Sequence, residues 1–131
     1  MNRVELHWQA AYDTGVEEID LQHRYFLALI NRLRGELDAC EDEAYRRRLL
    51  DELARYAAFH FISEENLMLK HGYPGVEQQR RLHLELIDQL SWRMQSPSHD
   101  ELFDFLVGWF VHHTVEEDHH IGDFVNRKGV C

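Results

Sequence analysis

Apolar residues recur along most of this chain at intervals of three and four, the period of a helix that buries one face. Four segments carry the pattern. In the first, about residues 18–38, Ile19, His23, Phe26, Leu27, Ile30, Leu33 and Leu37 share a stripe. In the second, about 42–70, the stripe is Leu49, Leu53, Tyr56, Ala57, His60, Phe61, Glu64, Leu67 and Met68. The third, about 75–95, aligns Gln79, His83, Leu86, Ile87, Leu90 and Met94, and the fourth, about 98–126, aligns Leu102, Phe105, Leu106, Trp109, Phe110 and His113, then Ile121 and Phe124. "HGYPG" (His71 to Gly75) stops the second segment, because Gly and Pro interrupt helices. "SPSHDE" (Ser96 to Glu101) separates the last two, with Ser98 and Glu101 spaced as a capping box. Connections this short make successive helices antiparallel, so the expected fold is all-α, an up-down-up-down four-helix bundle. Residues 1–17 lack a clear period and are expected to form an N-terminal arm, with Trp8 and Tyr12 packing on the bundle.

Five positions on those stripes are of the wrong kind. His23, His60, His83 and His113 each fall on the apolar face of a different helix, and Glu64 joins His60 one turn on. Ionisable groups are expensive to bury unless paired or bound to metal. A lone histidine on such a stripe is usually a hydrogen-bonded core residue. Four of them, one per helix, point instead to convergence on a common centre, as metal sites in bundle cores are built. Ten histidines in 131 residues add to the case.

The remaining composition narrows the class. Hydrophobic residues are 44% of the chain and charged ones 29%, an ordinary globular balance for one domain over residues 1–131. A formal charge of −10 repels nucleic acid and anionic membrane. No run approaches the roughly 20 apolar residues of a membrane span, and "MNRVELHWQA" lacks a signal-peptide core. Two cysteines, Cys40 and Cys131, form no disulfide framework, so a reducing cytoplasm is expected; the chain is also expected to be a monomer.

The donor types select the metal. Cysteine is absent from the cluster, against structural zinc or an iron–sulfur centre. H-E-x-x-H, the metalloprotease signature, does not occur. Imidazole with carboxylate suits iron, manganese or zinc, and the donor set is large for one tetrahedral ion. Two ions bridged by carboxylates fit better. E-x-x-H spacing, required on two helices of a ferritin-like site, is found only on the fourth, at Glu116–His119 and Glu117–His120.

These residues resemble the hemerythrin family over essentially the whole chain. Trp8 followed by "GVEEIDLQH" (Gly15 to His23) is similar to the family's opening and first ligand. "HFISEENLM" (His60 to Met68) resembles its H-F-x-x-E-E-x-x-M, "YPG" the next turn, and "WFVHHTVEED" (Trp109 to Asp118) its W-x-x-x-H-x-x-x-x-D. The resemblance implies two irons bridged by Glu64, Asp118 and an oxo or hydroxo oxygen. It assigns His23 and His60 to the iron with an open position for dioxygen, and His83 and His113 to the other. Trp109, Phe110 and Thr114 would line the ligand pocket.

Two residues depart from the family pattern. The histidine usual four positions before His83 is replaced by Gln79, which could ligate through its amide oxygen or leave a place for water. The bulky aliphatic usual after the fourth-helix histidine is replaced by Thr114, whose hydroxyl could reach the pocket or bond its own helix. One ligand also separates geometry from family. At about 100° per residue Glu117 falls near the His113 face and Asp118 about 140° away, so Asp118 requires a local π-bulge. The function expected is reversible dioxygen binding for storage, delivery or sensing. The alternative is a di-iron enzyme, a peroxidase, oxidase or nitric-oxide-processing protein, using a more open iron beside Gln79. Azide, nitric oxide and peroxide are the other small ligands expected.

Overall fold

The computed structural model describes residues 6–95 and 100–128, with the side chains at 114, 115, 127 and 128 outside the description. Four helical rods form the bundle. They are α1 (Glu17–Ala39), α2 (Glu43–His71), α3 (Val76–Met94) and a final rod built from α4 (Asp100–His112), a π-helical segment (His113–Glu117) and α5 (Asp118–Lys128). α2 packs on α1 and α3, α3 on α4, and α4 back on α1, which closes the ring. The all-α bundle with an arm is the architecture that the periodicity implied.

Local chemistry sets the ends of these helices. Asp42 caps α2, its carboxylate accepting from Ala44 N at 3.0 Å and Tyr45 N at 3.4 Å. Gly72 ends α2 at φ 67°, a left-handed conformation that suits a residue without Cβ, and Tyr73 N bonds back to Met68 O. The cap expected at Ser98 lies outside the described residues.

The core runs the length of the ring. Phe26, Leu33, Leu53, Leu102, Leu106 and Phe110 are fully buried at its centre. Beyond the polar cluster a second apolar layer, Ile19, Met68, Val76 and Ile121, closes the far end. The arm is tied down at several points. Asn31 exchanges hydrogen bonds with the Leu6 backbone, and Asp20 accepts from Thr14 N, Thr14 Oγ1 and Gly15 N. Trp8 and Tyr12 do pack on the bundle: Arg24 lies over the Trp8 ring, and Tyr12 meets Phe110 edge-on at 5.4 Å. A side chain at Gly122 would collide with the Thr14 carbonyl, so glycine lets the arm cross α5 closely.

Candidate metal centre

Between the two apolar layers sit His23, His60, Glu64, His83, His113 and Asp118, none more than 2% exposed. His23 comes from α1, His60 and Glu64 from α2, His83 from α3, His113 from the π segment and Asp118 from the first turn of α5. One ligating atom from each of His23, His60, Glu64, His113 and Asp118 lies within 4.8 Å of all the others. His83 joins from the far side of Glu64.

The carboxylates divide their oxygens between two histidine pairs. Glu64 Oε2 faces His60 Nε2 at 3.1 Å and His23 Nε2 at 3.4 Å, while Oε1 faces His83 and His113, each at 3.3 Å. Asp118 repeats the division: Oδ2 is 2.8 Å from His23 and Oδ1 is 3.1 Å from His113. Within the first pair the ring nitrogens of His23 and His60 stand 3.1 Å apart. Two carboxylates that each present one oxygen to either pair have the layout of bridges between two cations.

Hydrogen bonding supports the fit. Both oxygens of Asp118, Glu64 Oε2, His83 Nε2 and Gln79 Oε1 are buried without a hydrogen-bond partner, despite the short contacts of several of them. Native interiors leave few polar atoms in this condition, and a bound ion is one explanation for those that remain. The donors are imidazole and carboxylate with no thiolate, the set suited to iron. The residues fit a two-ion centre.

Charge is arranged to the same end. Burial alone would lower the pKa of His23, but Asp118 and Glu64 beside the ring outweigh it and raise the value to about 9. His113 is likewise pushed well above the ordinary range, against burial, by Asp118 and Glu64. At His60 burial prevails and the pKa falls. Burial would raise Glu64, yet the positive charges of His60 and His113 hold it well below the usual carboxylate range. Without metal, protons on His23 and His113 stand in for cations between the two carboxylates; metal uptake must displace them.

Outer partners orient the rings. His60 Nδ1 meets Gln22 Oε1 at 2.8 Å, and Gln22 donates in turn to Ser63 Oγ at 2.7 Å. His83 Nδ1 meets Glu65 Oε2 at 2.8 Å. Such contacts fix ring orientation and raise ligand basicity. Sequence reasoning missed Gln22 and Glu65, although each is the immediate neighbour of a predicted ligand. Aromatic rings enclose the site: Phe61 stacks on His83 at 4.2 Å, Trp109 stacks on His113 at 5.2 Å, and Phe110 approaches His23 at 5.9 Å.

The π segment brings Asp118, and not Glu117, into the cluster. The Asp118 N–H bonds to His113 O, five residues back, so the extra residue carries Asp118 inward, where it is 0% exposed. Glu117 lies at the rim, 29% exposed, and accepts from Gln79 Nε2 at 3.1 Å. The side chain of Thr114 lies outside the described residues. His112 is exposed and pairs with Glu116, and His119 contacts the Ala11 carbonyl of the arm. Neither takes part in the centre.

A bundle whose core holds four histidines and two shared carboxylates defines a class, the histidine-rich dinuclear metal proteins. Comparison with known proteins narrows it. The family described as Hemerythrin HHE cation binding domain matches residues 14–125. The bacteriohemerythrin of Stenotrophomonas maltophilia is 30% identical over 125 residues, covering 92% of this chain and 81% of the relative. That of Pseudomonas aeruginosa is 30% identical over 118 residues, covering 86% and 76%. The crystal structure of wild-type hemerythrin superposes with a TM-score of 0.79 at 26% identity, covering 92% of this chain and 97% of that one. The chain belongs to the hemerythrin family and is of the bacteriohemerythrin type. With this cluster it is a non-heme di-iron, oxygen-binding protein, and family and site together favour a carrier, store or sensor over an enzyme.

Proposed function

We propose that the chain takes up and releases dioxygen at two irons, one held by His23 and His60 and the other by His83, His113 and Gln79, with Glu64 and Asp118 shared between them. The observation that carries this reading is the division of both carboxylates, one oxygen toward each histidine pair. When bound there, two ferrous ions would supply the electrons for reversible binding. The protein's own part is to hold their positions and keep water away. Gln22 and Glu65 lock the rings of His60 and His83, so the nitrogens need no rearrangement when a ligand arrives. Phe26, Phe61, Trp109 and Phe110 surround the donors with apolar surface, which disfavours release of a charged product. Azide, nitric oxide and peroxide are small enough to compete for the same opening.

Among the described residues no helix is long and apolar enough to cross a membrane. A cytoplasmic monomer without nucleic-acid affinity fits the charge of −10. The test is optical. Metal-stripped protein loaded anaerobically with ferrous iron should bind two irons per chain, gain a visible band with dioxygen, and lose it on deoxygenation over repeated cycles. One iron per chain, or irreversible bleaching on the first exposure with turnover of peroxide, would overturn the carrier reading.

A further inference from the structure

Gln79 is only 6% exposed and lies one turn before His83 on α3. Its amide nitrogen donates to Glu117 Oε2 at 3.1 Å, while its amide oxygen is buried with no hydrogen-bond partner. The opposite amide orientation would press an oxygen against the Glu117 carboxylate, two acceptors without a proton between them. Glu117 therefore sets which atom of Gln79 is left for the interior. Leaving a buried carbonyl oxygen unpaired costs free energy.

We propose that Glu117 is a positioning residue: it turns the Gln79 amide so that its oxygen is the further donor to the ion of the His83–His113 pair. The inference rests on the two-ion reading above. The π segment serves both halves of the arrangement. It carries Asp118 into the cluster and leaves Glu117 one residue earlier at the rim facing α3, where His112 Nε2 stands 3.8 Å from its other oxygen. The resulting ligand is neutral, carries one hard oxygen, and depends for its orientation on a residue that touches no metal.

The experiment titrates metal-stripped, full-length protein anaerobically with ferrous iron, and separately with cobalt(II) as a spectroscopic probe. Circular dichroism of each stripped variant checks that the bundle is formed. Glu117→Ala should weaken one of the two ions by about 10- to 100-fold, the usual effect of losing an outer-sphere partner. Glu117→Gln keeps a carbonyl acceptor for the Gln79 amide and should stay within a few-fold of the parent. Gln79→Leu should weaken the same ion at least as much as Glu117→Ala, and the double variant Gln79→Leu/Glu117→Ala no further. The d–d absorption of the second cobalt should intensify in Glu117→Ala and Gln79→Leu, as a donor is lost. Parental affinity and spectrum in Glu117→Ala, with circular dichroism showing the bundle formed, would overturn the positioning role. Losses that multiply in the double variant would do the same. If the parent binds two ions tightly and Gln79→Leu does too, this inference alone falls; if the parent binds fewer than two, the two-ion reading falls instead.

Discussion

Stripped of metal, the protein should lose stability as the pH rises from about 6.5 to about 9. His23 has an ordinary pKa of 6.5 in the unfolded chain and about 9 in the folded one. A group with a raised folded pKa contributes stability that is fully present below the unfolded value and is lost as pH climbs through the folded value. At about 1.4 kcal/mol per tenfold change in proton affinity, the interval is worth about 3 kcal/mol from His23 alone. His113 is shifted in the same direction and steepens the loss. His60 is shifted the other way, so below about pH 6.5 the unfolded chain takes up a proton that the folded one excludes, and stability falls again toward acid. Glu64 adds to the acid loss once the pH drops into its depressed range. The metal-free protein is thus most stable near pH 6.5.

Urea unfolding of chelator-treated protein at half-unit steps between pH 5 and pH 9.5 measures the curve directly. Two ions in place of the histidine protons should abolish the alkaline limb, because His23 and His113 then have no proton to lose. Asp118→Asn removes a principal partner of both histidines and should flatten the same limb in the metal-free form. Stability that is level, or that rises, between pH 6.5 and pH 9 in the metal-free parent would refute the reasoning.

Three further outcomes follow from the packing and the cluster. Asp118→Asn should abolish binding of the ion pair while Glu117→Gln retains both ions, as counted by metal analysis; the reverse would mean that a regular helical register governs the fourth rod. Glu64→Ala removes the residue that faces all four histidines, and plasma emission analysis of the loaded variant should find fewer than two irons per chain. Leu53→Ala opens a void at a fully buried position far from the donors and should cost roughly 2–5 kcal/mol in urea unfolding with metal content unchanged.

How much of this was legible in the chain depends on the period that governs each part. Where the helices are regular, spacing alone located the buried face: Phe26, Ile30 and Leu33 on α1, and Leu53, Ala57 and Phe61 on α2, are all inside. Leu29, Leu50 and Phe103 are also buried, although they lie beside the stripe. A helix that touches two neighbours in a closed ring buries a wider arc than one narrow seam. The convergence of the four histidines was visible for the same reason, since each sits in phase with its apolar neighbours. Gln22 and Glu65 were not visible. They lie one position out of phase, and only the ring nitrogens pointing outward from His60 and His83 give them a role.

The fourth rod is where periodicity misleads. A constant 3.6-residue turn assigns the interior to Glu117. The segment His113–Glu117 winds more widely, and the phase of everything after it shifts by one residue. Asp118 then reaches His23 and His113, Ile121 and Val125 close the far apolar layer, and Gly122 comes to lie under the arm. An aspartate at the Glu117 position of a regular helix could not reproduce this, because restoring the normal turn would also rotate Ile121 and Val125 out of the core. Deleting Val115 tests that coupling: it removes the extra residue and puts the two carboxylates into a regular register. The deletion should cost the ion pair and the packing of α5 together, read as loss of metal and as a lower urea midpoint of the metal-free protein. Loss of metal with an unchanged midpoint would separate the two and show that the π turn serves the metal centre alone.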